Sequence, residues 1–77
     1  MENRKSIESI EKYTKLYEKY SSFLTQSQSQ VFQLFYFEDL SYGEIAQILA
    51  TSRTNAYDTL AKTIKKLEKI DEKMNVE

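Results

Sequence analysis

Apolar residues in this chain fall into four blocks, each spaced by threes and fours, the period of a helix with one buried face. In the first block Ile7, Ile10, Tyr13, Leu16, Tyr17 and Tyr20 share one face, while Lys12, Lys15, Glu18 and Lys19 lie on the other. This predicts a helix from about Ser6 to Ser22, with Met1 to Lys5 frayed ahead of it. The second block predicts a helix from about Gln26 to Phe37, burying Val31, Leu34 and Phe35 with help from Phe32 or Phe37. Ile45, Ala46, Ile48 and Leu49 set a third helix, near residues 42–50. The fourth runs from about 53 to 74, where Ala56, Leu60, Thr63, Leu67, Ile70 and Met74 alternate spacings of four and three, with Ile64 beside them. That is a short coiled-coil-like seam. The tail Asn75 to Glu77 carries no pattern.

Punctuation between the blocks agrees with this division. Thr25 with Gln28, and Ser41 with Glu44, are capping boxes, in which each partner accepts a hydrogen bond from the other's backbone N–H. Leu40 before Ser41 can staple onto Ile45, and Ser52 is a good N-cap for the last helix. Residues 41–60, SYGEIAQILATSRTNAYDTL, thus read as a helix-turn-helix, in which the start of the second helix enters a groove of nucleic acid. The polar run QSQSQ is read as the solvated first turns of the second helix, not as a linker. A motif core covers only the first half of the last seam. Either the first helix or a second copy of the chain, as a homodimer, must cover Leu67, Ile70 and Met74.

Composition narrows the class. The 77 residues contain no proline and one glycine, which favours an all-α chain forming one domain, 1–77. With no cysteine and no histidine, disulfides and the usual zinc sites are excluded. Nothing resembles a signal peptide, and no apolar run reaches the ~20 residues of a membrane span, so a cytoplasmic location is expected. Glu38 and Asp39 form an acidic pair, but no third acid or nucleophile accompanies them, and Tyr36 and Tyr42 are not expected to pair as an active site. The expectation is therefore a protein that is not an enzyme, with no cofactor and no metal.

The formal net charge is −1, which argues against a uniformly basic nucleic-acid binder. The distribution is uneven. Residues 25–50 carry Glu38, Asp39 and Glu44 with no basic residue, a sum of −3; residues 53–66 carry Arg53, Lys62, Lys65 and Lys66 against Asp58, a sum of +3. The candidate nucleic-acid surface is therefore Ser52, Arg53, Thr54, Asn55 and Tyr57 at the start of the last helix, joined by Lys62, Lys65 and Lys66 as one basic face. The opposing reading is that these lysines are only the solvated side of an amphipathic helix. For the aromatic stripe of the first helix, the alternatives are core and a stacking platform for unpaired bases.

The stretch LTQSQSQVFQLFYFEDLSYGEIAQILATSRTNAYDTLAKTIKKLEKI resembles the fourth region of bacterial sigma factors. More closely, the whole chain is similar to the YlxM-like family, which adds an N-terminal helix to that region. Leu16-Tyr17 with Tyr20, Leu24-Thr25 with Gln28, Leu34 to Tyr36, Leu40-Ser41, Glu44-Ile45-Ala46, and Ser52-Arg53 followed by Tyr57-Asp58 carry the likeness. The resemblance implies a four-helix, sigma-region-4-like helix-turn-helix domain without a wing, its N-terminal helix packed on a long C-terminal helix. It also implies a regulatory, non-enzymatic role connected with the signal recognition particle, whose genes lie beside those of the family. The implied partners are DNA or the particle's RNA, and the particle's protein. A DNA-binding transcriptional regulator and an adaptor docking its helices on a partner protein are the competing readings. Three positions depart from the family pattern. Ala50 stands where the turn usually has Gly, Thr51 where an apolar residue is expected, and Ala56 where a bulky β-branched residue is expected.

Overall fold

A computed structural model describes residues 5–74. Helix α1 spans Ile7–Tyr20 and runs into a 3-10 turn at Ser21–Phe23; α2 spans Gln26–Phe32 and widens into a π-helical segment at Gln33–Phe37; α3 spans Tyr42–Ile48 and α4 spans Arg53–Met74. The described residues form the expected all-α arrangement of four helices.

Each helix starts where a side chain satisfies a free backbone N–H. Ser6 Oγ accepts from Ser9 N–H at 3.2 Å, and Ser52 Oγ from Asn55 N–H at 3.0 Å. The boxes Thr25/Gln28 and Ser41/Glu44 are closed in both directions. Such caps contribute about 1 kcal/mol each, enough to phase four helices in a chain too small for a large core.

The core gathers Leu16 and Tyr20 from α1, Val31, Phe32, Phe35 and Tyr36 from the second helix, Ile45 from α3, and Ala56, Leu60, Ile64 and Leu67 from α4. Full burial of each large side chain contributes about 1.5–3 kcal/mol. Thr63, also fully buried, donates its hydroxyl to the Thr59 carbonyl at 2.7 Å, which satisfies that hydroxyl within its own helix. The aromatic stripe of α1 is core: Tyr17 stacks on Phe32 with ring centroids 4.5 Å apart, and Tyr13 lies 6.2 Å from Tyr36. α1 also covers α4, where Tyr13 donates to Glu68 and Tyr20 to Asp71, both at 3.0 Å. The first helix therefore does cover Leu67, and Ile70 is half-buried beside it.

Four expectations need correction. The second helix is not regular to Phe37: Glu38 N–H bonds to the Gln33 carbonyl five residues back, the signature of a π turn. That wider turn sends three successive rings to three destinations: Phe35 onto Tyr42, Tyr36 onto Phe32, and Phe37 to the edge of Tyr17. Tyr36 consequently takes the core place expected for Leu34, which is only half-buried, and Phe37 is exposed. Met74 is exposed as well, because it lies beyond the reach of α1. Lastly, Lys5 is anchored where fraying was expected: its ammonium donates to the Leu40 carbonyl at 2.9 Å, pairs with Asp39 at 3.2 Å and sits 4.4 Å from the centre of the Phe35 ring. Met1 to Arg4 and the tail Asn75 to Glu77 lie outside the described residues.

Candidate nucleic-acid interface

The turn between α3 and α4 fixes the start of α4. Ala50 has φ of 55°, Thr51 N–H bonds to the Ala46 carbonyl at 2.8 Å, and Ala50 N–H bonds to the Gln47 carbonyl at 3.4 Å. This pair of bonds is a Schellman closure, which normally places glycine at the left-handed position. Alanine there carries a steric penalty of about 1–2 kcal/mol. The closure also ends α3 at Ile48, earlier than the expected residue 50.

Around that turn the other two departures have a visible consequence. Ala56 is fully buried against α2, and Thr51 is half-buried with its hydroxyl accepting from Asn55 Nδ2 at 2.8 Å. Beside them runs a groove of about 340 Å³ bordered by Val31, Leu49, Ala50, Thr51, Ala56 and Thr59. A larger apolar pair at 51 and 56 would occupy part of it.

Ser52, Arg53, Thr54, Asn55 and Tyr57 are all exposed at the opening turns of α4. Three of them are engaged within the chain, Ser52 as the cap, Asn55 with Thr51 and Tyr57 with Tyr42. Arg53 makes no hydrogen bond or ion pair with another described residue. Its side chain lies over Gly43, where an added Cβ would stand 3.4 Å from Nε. A side chain at position 43 would thus meet the Arg53 stem at van der Waals contact. Together Tyr42, Gly43, Glu44, Gln47, Thr51 and Arg53 line an open cleft of about 650 Å³ between the starts of α3 and α4. Beside it Tyr57 meets Tyr42 edge to face at 5.3 Å, and Tyr42 stacks on Phe35 at 4.9 Å. The cleft residues Tyr42, Gly43 and Gln47 went unrecognised in the sequence, although Arg53 and Tyr57, four residues apart, signal a shared face.

The basic residues do not form one face. At 100° per residue, Arg53 and Lys62 point to opposite sides of α4 and stand about 14 Å apart along its axis. Arg53 turns toward α3, whereas Lys62, Lys65 and Lys69 are exposed on the side away from the core. Lys66 is half-buried and donates to Gln28 Oε1 at 3.4 Å, reaching the capping box of α2. The lysine strip continues to Lys73. The candidate surface thus divides into an opening turn with one cation, balanced by Asp58, and a lysine strip on the opposite side of the helix.

Among the described residues no group of three or more His, Cys, Asp or Glu side chains could hold a metal ion. No described helix is long and apolar enough to cross a membrane.

The family described as "Putative helix-turn-helix protein, YlxM / p13 like" matches residues 7–77. A UPF0122 protein of Thermoanaerobacter sp. strain X514 is 40% identical over 63 residues, 82% of this chain and 54% of its own. One from Clostridium perfringens is 41% identical over 76 residues, 99% of this chain and 62% of its own. One from Bacillus cereus strain AH187 is 41% identical over 68 residues, 84% of this chain and 62% of its own. The chain therefore spans little more than half the length of these relatives. No solved structure matches it.

Proposed function

Because this chain belongs to the YlxM / p13-like helix-turn-helix family, we propose that it is a non-enzymatic regulatory protein that contacts nucleic acid through the start of α4 and the lysine strip behind it. The observation that carries the reading is the exposed Arg53, which pairs with no acid among the described residues, at the head of the second helix of a closed helix-turn-helix. Arg53 contacts a phosphate or a guanine edge, Thr54 and Asn55 reach base edges or phosphate, and Lys62, Lys65 and Lys69 follow a backbone. The signal recognition particle, its RNA included, is the favoured system, and that choice rests on the family resemblance. Its cytoplasmic setting follows from the same reading.

The contact is weak by design. With about three phosphates neutralised, affinity falls with salt at a log–log slope of roughly −2 to −3. The test is a salt series on duplex DNA, structured RNA and the particle's protein. Replacing Lys62, Lys65 and Lys69 by glutamine is expected to flatten the slope, with stability unchanged to within a few tenths of a kcal/mol. Arg53→Ala is expected to weaken binding by about 1–3 kcal/mol, unequally between sequences. If the triple variant binds as the parent does, the strip is only a solvated face. The adaptor reading, favoured by the acidic residues 38–44, then replaces this one.

A further inference from the structure

We infer that the groove between α2 and the opening turns of α4 is a site for one nucleotide held outside a duplex, its base in the groove and its phosphate on the lysines that follow along α4. The inference rests on the nucleic-acid reading above for its class of ligand and places the base contact within the fold.

The shape of the groove is the first support. Ser27, Gln30 and Val31 face it from α2, three and four residues apart, and Asn55, Ala56 and Thr59 face it from α4. The buried members, Val31 and Ala56, make an apolar floor, and the single methyl of Ala56 leaves the space open. At about 340 Å³ the groove lies at the small end of the roughly 300–1,000 Å³ common for small-ligand sites.

Its rim sets the chemistry. Ser27, Gln30 and Thr59 make no side-chain hydrogen bond with another described residue, and Asn55, which gives its amide nitrogen to Thr51, keeps its carbonyl oxygen. These groups donate and accept, and none is charged. An aliphatic side chain seated there would take water from them and return no hydrogen bond. An ionised head group would find no counter-charge in the groove. A base has apolar faces for the floor and a donor–acceptor edge for the two amides. In a paired duplex those faces are stacked away, so only an unpaired base enters.

Charge follows at the right place. Asn55 and Thr59 begin a line along α4 that continues, at spacings of three and four, as Lys62 and Lys66. Lys62 stands about 4.5 Å beyond Thr59 along the axis and Lys66 about 10 Å. The Lys66 ammonium is drawn over the first turn of α2, 3.4 Å from Oε1 of Gln28, the residue after Ser27. That bond uses one of its three donors. Residues 25–37 carry no charged side chain, so no acid on α2 competes with a phosphate there.

The test uses the full chain. Isotope-labelled protein is titrated with adenosine, guanosine, cytidine and uridine monophosphates while NMR follows the side-chain amides of Gln30 and Asn55. Fluorescein-labelled hairpins, perfectly paired or with one bulged nucleotide, each as RNA and as DNA, are followed by anisotropy at low salt. The bulged form is expected to bind about 10-fold tighter and to shift both amides. Ala56→Val fills the groove and is expected to abolish the preference with a melting temperature at or above that of the parent. Thr59→Leu, which blocks the rim, is expected to do the same and decides the matter should Ala56→Val lower stability. A preference that survives both variants, or equal binding of paired and bulged hairpins with unmoved amides in every titration, overturns the inference and leaves nucleic-acid binding standing. Amides shifted by a monophosphate alone keep the groove and name a free nucleotide as its source. Binding of no hairpin and no monophosphate overturns both readings.

Discussion

The two halves of α4 are built to different standards. From Leu60 to Leu67 the helix is well covered: Leu60, Thr63 and Leu67 are fully buried, and α1 ties its side chains to the outer flank at Glu68 and Asp71. From Arg53 to Thr59 the helix is seated on a strained turn, with a small residue at its buried contact and a groove beside it. The half that carries the candidate contact residues is the looser one. The contrast teaches that stability and the proposed recognition are separated along one continuous helix, the far half holding the near half in place.

The largest expected effect comes from removing the cover. Deleting residues 1–22 strips α1 and exposes Leu67 and Ile70, and the remaining chain is expected to lose cooperative unfolding. A thermal melt as sharp as that of the parent would show that the C-terminal half needs no cover. Next is the groove at the looser half. Ala56→Val adds two carbons beside it and is expected to raise stability by about 1 kcal/mol, measured by urea denaturation; a fall would mean that the site is already full.

Ala50→Gly removes the left-handed penalty at the turn, less the extra backbone freedom of glycine in the unfolded chain. The gain expected is up to about 1 kcal/mol. Paired with Ala56→Val it asks whether the two defects are independent. The smallest effect belongs to the covered half. Burial, then the hydrogen bond and the charge of Asp71, hold the Tyr20 phenol above its ordinary value of 10.0. The folded state therefore keeps its proton where the unfolded chain releases it. This contribution is present below pH 10 and is lost as pH rises through the folded value. Tyr20→Phe should flatten the alkaline end of a stability–pH curve, and an unaltered curve would contradict the assignment.

Much of the fold could be read from local chemistry. Ser41, Thr25 and Ser52 mark helix starts because their hydroxyls compete for backbone N–H groups within three residues, and such signals need no tertiary knowledge. The left-handed Ala50 was readable only through the family resemblance, which places Gly at that turn. The π turn was not, because it arises from packing three adjacent rings against three different neighbours. Asp39 at φ 58° escaped too; its left-handed turn accompanies an ion pair with Lys5, a contact across 34 positions of sequence. At the site, residue types were evident but their grouping was not. Summing Arg53 with the lysines counts charge along the chain, whereas 100° per residue turns that sum into two opposed surfaces.

The unbroken course of α4 has a mechanical consequence. Leu67, where α1 grips the helix, and Arg53, the proposed nucleic-acid contact, are about 21 Å apart on one rod. A tilt of about 10° at the grip swings the guanidinium through nearly 4 Å, about the thickness of one base. Whatever reseats α1 by a fraction of a helix diameter therefore resets the aim of that proposed contact, with the rod as lever and the Leu67 contact as fulcrum.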